Sequence, residues 1–141
     1  MAIQPITLNE AEFIAHRYAV ELMSYTDEPI PPFHTRYPGR LESCLAQPFQ
    51  TFGGKYLHHT FLKRAAILFY LIARSQCFVN GNKRMAVTLT MVFFYKNKKW
   101  LNIPEKDLYD IARNVGKSRP NQQDNVVKAL QATFKTYMSP R

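Results

Sequence analysis

The stretch Ser75-Gln76-Cys77-Phe78-Val79-Asn80-Gly81-Asn82-Lys83-Arg84 gathers a glycine, three side-chain amides and two cations between two apolar segments. Gly81 opens backbone conformations closed to other residues, and a helix pattern starts immediately after it. The first turn of a helix leaves backbone N–H groups unpaired and carries the positive end of the helix dipole. Such an end attracts phosphate. Lys83 and Arg84 add full charges, and a guanidinium grips two phosphate oxygens with its planar fork. Phe78 would anchor the loop by burying its ring. On these residues alone two readings stand level, an anion-binding loop and a helix-breaking turn with solvated cations, because Asn-Gly-Asn is common in turns.

Other side chains capable of chemistry give weaker patterns. His16, His34, His58 and His59 share no zinc-ligand spacing. His16 is expected on the solvated face of the first helix, and His34, His58 and His59 as surface or cap residues. Cys44 and Cys77 form neither a disulfide framework nor a metal-ligand pair and read as reduced, partly buried thiols. Phe49 and Phe52 lie in Pro48-Phe49-Gln50-Thr51-Phe52-Gly53-Gly54, where polar and aromatic residues alternate before a Gly-Gly turn. That pattern predicts a small β-flap. Its two rings either guide an extended target segment by strand addition or simply pin the loop.

Helices must position these residues. The first is expected over 8–23, with Thr7 and Glu10 at capping-box spacing and Ala11, Ile14, Tyr18 and Leu22 recurring at helical intervals. Pro29, Pro31, Pro32 and Pro38 hold residues 24–38 extended. A short helix over 40–47 buries Leu41, Cys44 and Leu45. Thr60 caps a helix to Arg74, and a second runs from Asn82 to Lys96. Both are apolar on most sides, so both are buried, and the short connection makes them an antiparallel hairpin at the core. Pro104 starts a helix ending at Gly116 as its C-cap. Asp124 caps the last, whose buried face is Val127, Leu130, Phe134 and Tyr137. The expected architecture is all-α, a compact bundle of about six helices over a single domain, residues 1–141.

Composition agrees with a globular chain: 141 residues, 46% hydrophobic and 21% charged. No apolar run is long enough to span a bilayer and no signal-peptide pattern opens the chain, so the expected setting is cytoplasmic with no membrane partner. The formal net charge of +9 favours a polyanionic partner. A nucleic acid is one alternative, although no recognition-helix signature accompanies the charge.

The loop resembles the active-site motif of the Fic/Doc family, which in its Doc-like (death-on-curing) branch reads His-x-Phe-x-Asp-Gly-Asn-Lys-Arg. Phe78, Gly81, Asn82, Lys83 and Arg84 match in register. Pro38-Gly39-Arg40-Leu41-Glu42-Ser43, Phe52-Gly53-Gly54 and residues 65–74 and 84–97 are similar to their Doc-branch counterparts. The resemblance implies a loop whose amides and arginine hold the phosphates of ATP or another nucleotide, making Asn80, Gly81, Asn82, Lys83 and Arg84 the binding residues. It further implies an acid that binds Mg²⁺ and a histidine that takes the proton from a target hydroxyl. Family members transfer AMP to protein hydroxyls, and the Doc branch is a phosphoryl-transferring toxin that blocks translation. A translation factor as target and a small antitoxin as partner follow from that branch. Two positions depart: Gln76 stands where the histidine belongs and Asn80 where the acid belongs. Glutamine cannot serve as a base near neutral pH, and asparagine offers a metal no charge. Lost or weakened transfer with weak or no Mg²⁺ binding is therefore expected; the alternative is an active transferase using a substitute base. Ser24 and Glu28 fit the spacing of the family's inhibitory Ser/Thr-x-x-x-Glu segment, but Pro29 follows them, and they read as loop residues.

Overall fold

The computed structural model describes residues 2–22 and 30–141; Ser24, Glu28 and Pro29 lie outside the described residues. Six helices carry the architecture. Helix α1 covers 8–22, α2 Arg40–Ala46, α3 Phe61–Arg74, α4 Asn82–Lys96, α5 Glu105–Lys117 and α6 Gln123–Tyr137. Strands are short: β1 (Thr51–Phe52) pairs antiparallel with β2 (Lys55–Tyr56), and β3 (Lys99–Leu101) with β4 (Met138–Pro140).

The α3–α4 hairpin is the core, as the all-round apolar pattern requires. Phe61 stacks on Phe93 with centroids 4.9 Å apart and meets Phe94 edge-on. Phe134 of α6 sits edge-on to both Phe69 and Phe94, so rings from α3, α4 and α6 form one continuous set. Offset and edge-on pairs of this kind add about 0.5–1.5 kcal/mol each beyond their buried area.

The start of α1 carries the expected capping box: the Glu10 N–H donates to Thr7 Oγ1 and the Thr7 N–H to Glu10 Oε1. Glu10 also pairs with Lys96 at 2.7 Å, tying α1 to the end of α4. The expected buried stripe of α1 holds only in part, at Ala11 and Tyr18. Ala11–His16 winds as a π-helix, whose wider turn changes the phase of everything after it. Ala11, Ala15, His16 and Ala19 face inward, whereas Ile14 is exposed and Tyr18 half-buried.

Three more expectations change. Gly116 lies inside α5 and does not cap it; the helix end is closed by Arg74, whose Nη1 donates to the Val115 and Ser118 carbonyls and to Ser118 Oγ. Asp124 does not cap α6, because Pro120–Gln122 forms a 3₁₀ turn that leads directly into Gln123. Asp124 falls in the first turn, where its charge still suits the dipole. Tyr137 is exposed, since the chain leaves α6 there to enter β4. The β3–β4 pairing had no signal of its own in the sequence.

Candidate phosphate-binding pocket

The loop after α3 is built around Phe78. Its ring is fully buried, 5.7 Å from the His16 ring and 6.0 Å from Phe33. His16 is thus no solvated residue: the π-turn rotates it inward, its Nε2 donates to the Pro31 carbonyl at 2.9 Å, and it packs edge-on against Phe33. The Asn82 side chain closes the turn on itself. Its Oδ1 accepts the Phe78 N–H and its Nδ2 donates to the Phe78 carbonyl, both at 3.0 Å. Asn82 therefore shapes the loop with its side chain and leaves only its backbone N–H for a ligand. Two bonds from the preceding segment hold the other side, Tyr37 N–H to the Cys77 carbonyl and Arg40 Nη1 to the Gln76 carbonyl.

Gly81 is the N-cap of α4 at φ 82°. A Cβ there would be strained by that φ and would also lie 2.6 Å from Ile30 Cγ1. With no side chain on Gly81, the cap residue itself offers the first amides of α4 no acceptor. The loop and the first residues of α4 line a cavity of about 700 Å³, in the range of small-ligand sites. One wall is the loop, with Gln76, Asn80, Lys83 and Arg84. The other is a single face of α5, with Lys106, Tyr109, Asp110, Arg113 and Lys117. The walls meet at Gly116: a Cβ on it would lie 2.7 Å from Lys83 Cε and 3.0 Å from Lys83 Nζ. The bare α5 backbone thus gives the Lys83 stem its place.

The electrostatic balance is one-sided. Among the described residues, five cations (Lys83, Arg84, Lys106, Arg113 and Lys117) line the cavity against one carboxylate, Asp110. Arg84 is buried, Lys83 half-buried and Gln76 exposed. Asn80 Oδ1 is buried with no hydrogen-bond partner among the described residues, so the loop's own candidate metal donor is a neutral, enclosed oxygen. This donor set does not fit Mg²⁺, which wants carboxylates and open octahedral geometry. No histidine lines the cavity among the described residues, so His34, His58 and His59 do not supply a base within it. The amides, Lys83 and Arg84 do fit phosphoryl oxygens.

The two aromatic residues assigned to the flap separate. Phe52 is 80% exposed on the β1–β2 hairpin, whose turn uses Gly53 and Gly54 at positive φ. Phe49 lies before the hairpin in the 3₁₀ turn Gln47–Phe49 and packs edge-on against Phe93. Arg64 is buried between Phe49 and Tyr56, its guanidinium 4.8 Å from the first ring and 4.2 Å from the second, its Nε donating to the His58 carbonyl. Burial, then Lys63, Arg64 and His59, hold the His58 imidazole below its ordinary pKa. Neither ring lines the cavity. Cys44 and Cys77 are free and buried, more deeply than expected, and Cys77 is pushed up by its hydrogen bond to Cys44 and by burial.

Sequence reasoning missed the α5 wall. The signal was there: Lys106, Asp110, Arg113 and Lys117 recur at i, i+4, i+7 and i+11 opposite the buried Leu108, Ala112 and Val115. Residues 7–94 match the model of the Fic/DOC family. No curated protein and no solved structure matches the chain.

Proposed function

On the premise that this chain belongs to the Fic/DOC family, we propose that it is a Doc-like member that binds nucleotide phosphates without metal and has lost or weakened the transfer chemistry. Its cellular role is then binding, with a toxin-family protein target such as a translation factor, or a small antitoxin, as its protein partner. The observation that carries this reading is the split within one loop. The phosphate-gripping parts, Gly81, the α4 amides, Lys83 and Arg84, converge on a cavity. The two positions where the family's motif has a base and an acid hold amides, one exposed and one with its oxygen enclosed. Removing general-base assistance alone costs about 10²–10⁴ in rate.

Calorimetric titration of the full chain with ATP in the absence of Mg²⁺ tests the binding half. Lys83→Ala should weaken binding about tenfold, roughly 1.4 kcal/mol, while Lys135→Ala on the exposed face of α6 should not change it. Equal effects from the two variants would remove the loop as the site.

A further inference from the structure

Resting on the reading of the loop as a phosphate site, we infer that the α5 wall is a second anion subsite. The cavity then takes a nucleotide with phosphoryl groups at two separated positions, one on each side of its sugar. The wall lies beyond residues 7–94, the part matched to the family.

The order of charges along α5 carries the argument. With a rise of 1.5 Å per residue, Lys106 stands about 10 Å from Arg113 and about 16 Å from Lys117 along the axis. The Lys117 end abuts the loop, because Gly116 touches Lys83. Lys106 is therefore at the far end of the cavity from the α4 amides. Between the two ends sits Asp110, the one carboxylate of the lining among the described residues. Lys106 and Asp110 are at i, i+4 and Asp110 and Arg113 at i, i+3, spacings that permit pairing, yet none of these residues forms an ion pair among the described residues. The wall thus reads cation, anion, cation.

A continuous polyphosphate reaching from the loop to Lys106 would have to pass Asp110 and be repelled. A ligand that is anionic at both ends and uncharged in the middle meets attraction at each position. Asp110 then accepts a hydrogen bond from a sugar hydroxyl or a base amino group, and Tyr109 lends an aromatic wall beside it. The loop takes one phosphoryl group and Lys106 the other.

Two isomers make the test: adenosine 5′-diphosphate and adenosine 3′,5′-bisphosphate carry the same two phosphoryl groups in different places. Titrated into the full chain without Mg²⁺, with the guanosine pair alongside, the bisphosphate should bind about tenfold tighter, the worth of one charge-assisted contact. Lys106→Ala should abolish that preference by weakening the bisphosphate far more than the diphosphate, and Lys83→Ala should weaken both. Diphosphate binding that needs Lys83 but shows no bisphosphate preference would overturn this inference and leave the loop reading standing. A preference that survives Lys106→Ala would overturn it as well. Failure of all four compounds to bind would overturn both.

Discussion

Gln76 and Asn80 differ from a histidine and an aspartate by very little volume, so the loop that holds them has no packing reason to change. Its shape depends on other residues: Phe78 in the core, the Asn82 amide bracketing the Phe78 backbone, and Gly81 at positive φ. Gln76→His with Asn80→Asp should therefore restore both missing groups without rebuilding the loop. The paired variant is expected to raise radiolabel transfer from ATP to lysate protein about a hundredfold or more; a natural chain already as active would refute the reading of lost chemistry. Phe78→Ala should act oppositely, on stability first. Loss of a fully buried ring costs about 3–5 kcal/mol, read as a lower urea midpoint, and nucleotide binding should fall with it.

At the level of helices, Gly116 separates stability from binding. It lies inside α5 at a φ open to any residue, so Gly116→Ala should gain about 1 kcal/mol of helix propensity, set against a new methyl placed 3.3 Å from the Ala73 carbonyl oxygen. The new methyl would meet the Lys83 side chain at 2.7 Å and displace it. The expected outcome is a melting temperature unchanged or raised with weakened ATP binding; unchanged binding would show that Lys83 has another place to go, and a fall in both would show that the Ala73 carbonyl does not give way to the methyl. His58, at the foot of α3, gives a pH signature. Its imidazole pKa is lowered by burial and by Lys63, Arg64 and His59, so the unfolded chain binds the proton more readily and stability rises with pH. Its contribution is present above the ordinary value of 6.5 and is lost as pH falls through the lowered folded value. The slope of urea midpoint between about pH 5 and about pH 8 should flatten in His58→Gln. The helices were the most legible part of the sequence: Thr7, Thr60 and Pro104 marked their starts, and the apolar periodicity of residues 61–74 and 82–96 marked the core. What escaped was set by tertiary contact. Arg74 rather than Gly116 closes α5, and no local pattern announces that a side chain 41 residues away will do so. The α5 face escaped because charges on the outside of an amphipathic helix look alike until another element comes to lie opposite them.

For the molecule as a whole, the net charge of +9 was readable from composition, but its concentration around one cavity was not. The described residues include no helix long and apolar enough to cross a membrane. A cavity whose described lining holds five cations and one carboxylate should prefer the more negative form of a ligand. Free nucleotide carries more negative charge than its Mg²⁺ complex, so adding Mg²⁺ should leave binding unchanged or weaken it. Added salt should weaken it further by screening. A tightening of about tenfold with Mg²⁺, roughly 1.4 kcal/mol, would reveal a metal site and count against the metal-free reading.

The π-helical turn at Ala11–His16 has a further consequence, for tolerance to changes of length. A π-turn spans one residue more than an α-turn, so the segment holds a residue that its flanks do not need. Deleting Phe13, which is 59% exposed, should let the turn relax to α-geometry while Ala19 and the rest of the inward face keep their phase. Deleting one residue from the regular α4 would instead rotate every following side chain by about 100° and scramble the packing of Phe93 and Phe94. Circular dichroism melts of the two deletions should show one cooperative fold and one collapse. Lineages related to this chain would then be expected to gain and lose residues here far more freely than in the core hairpin.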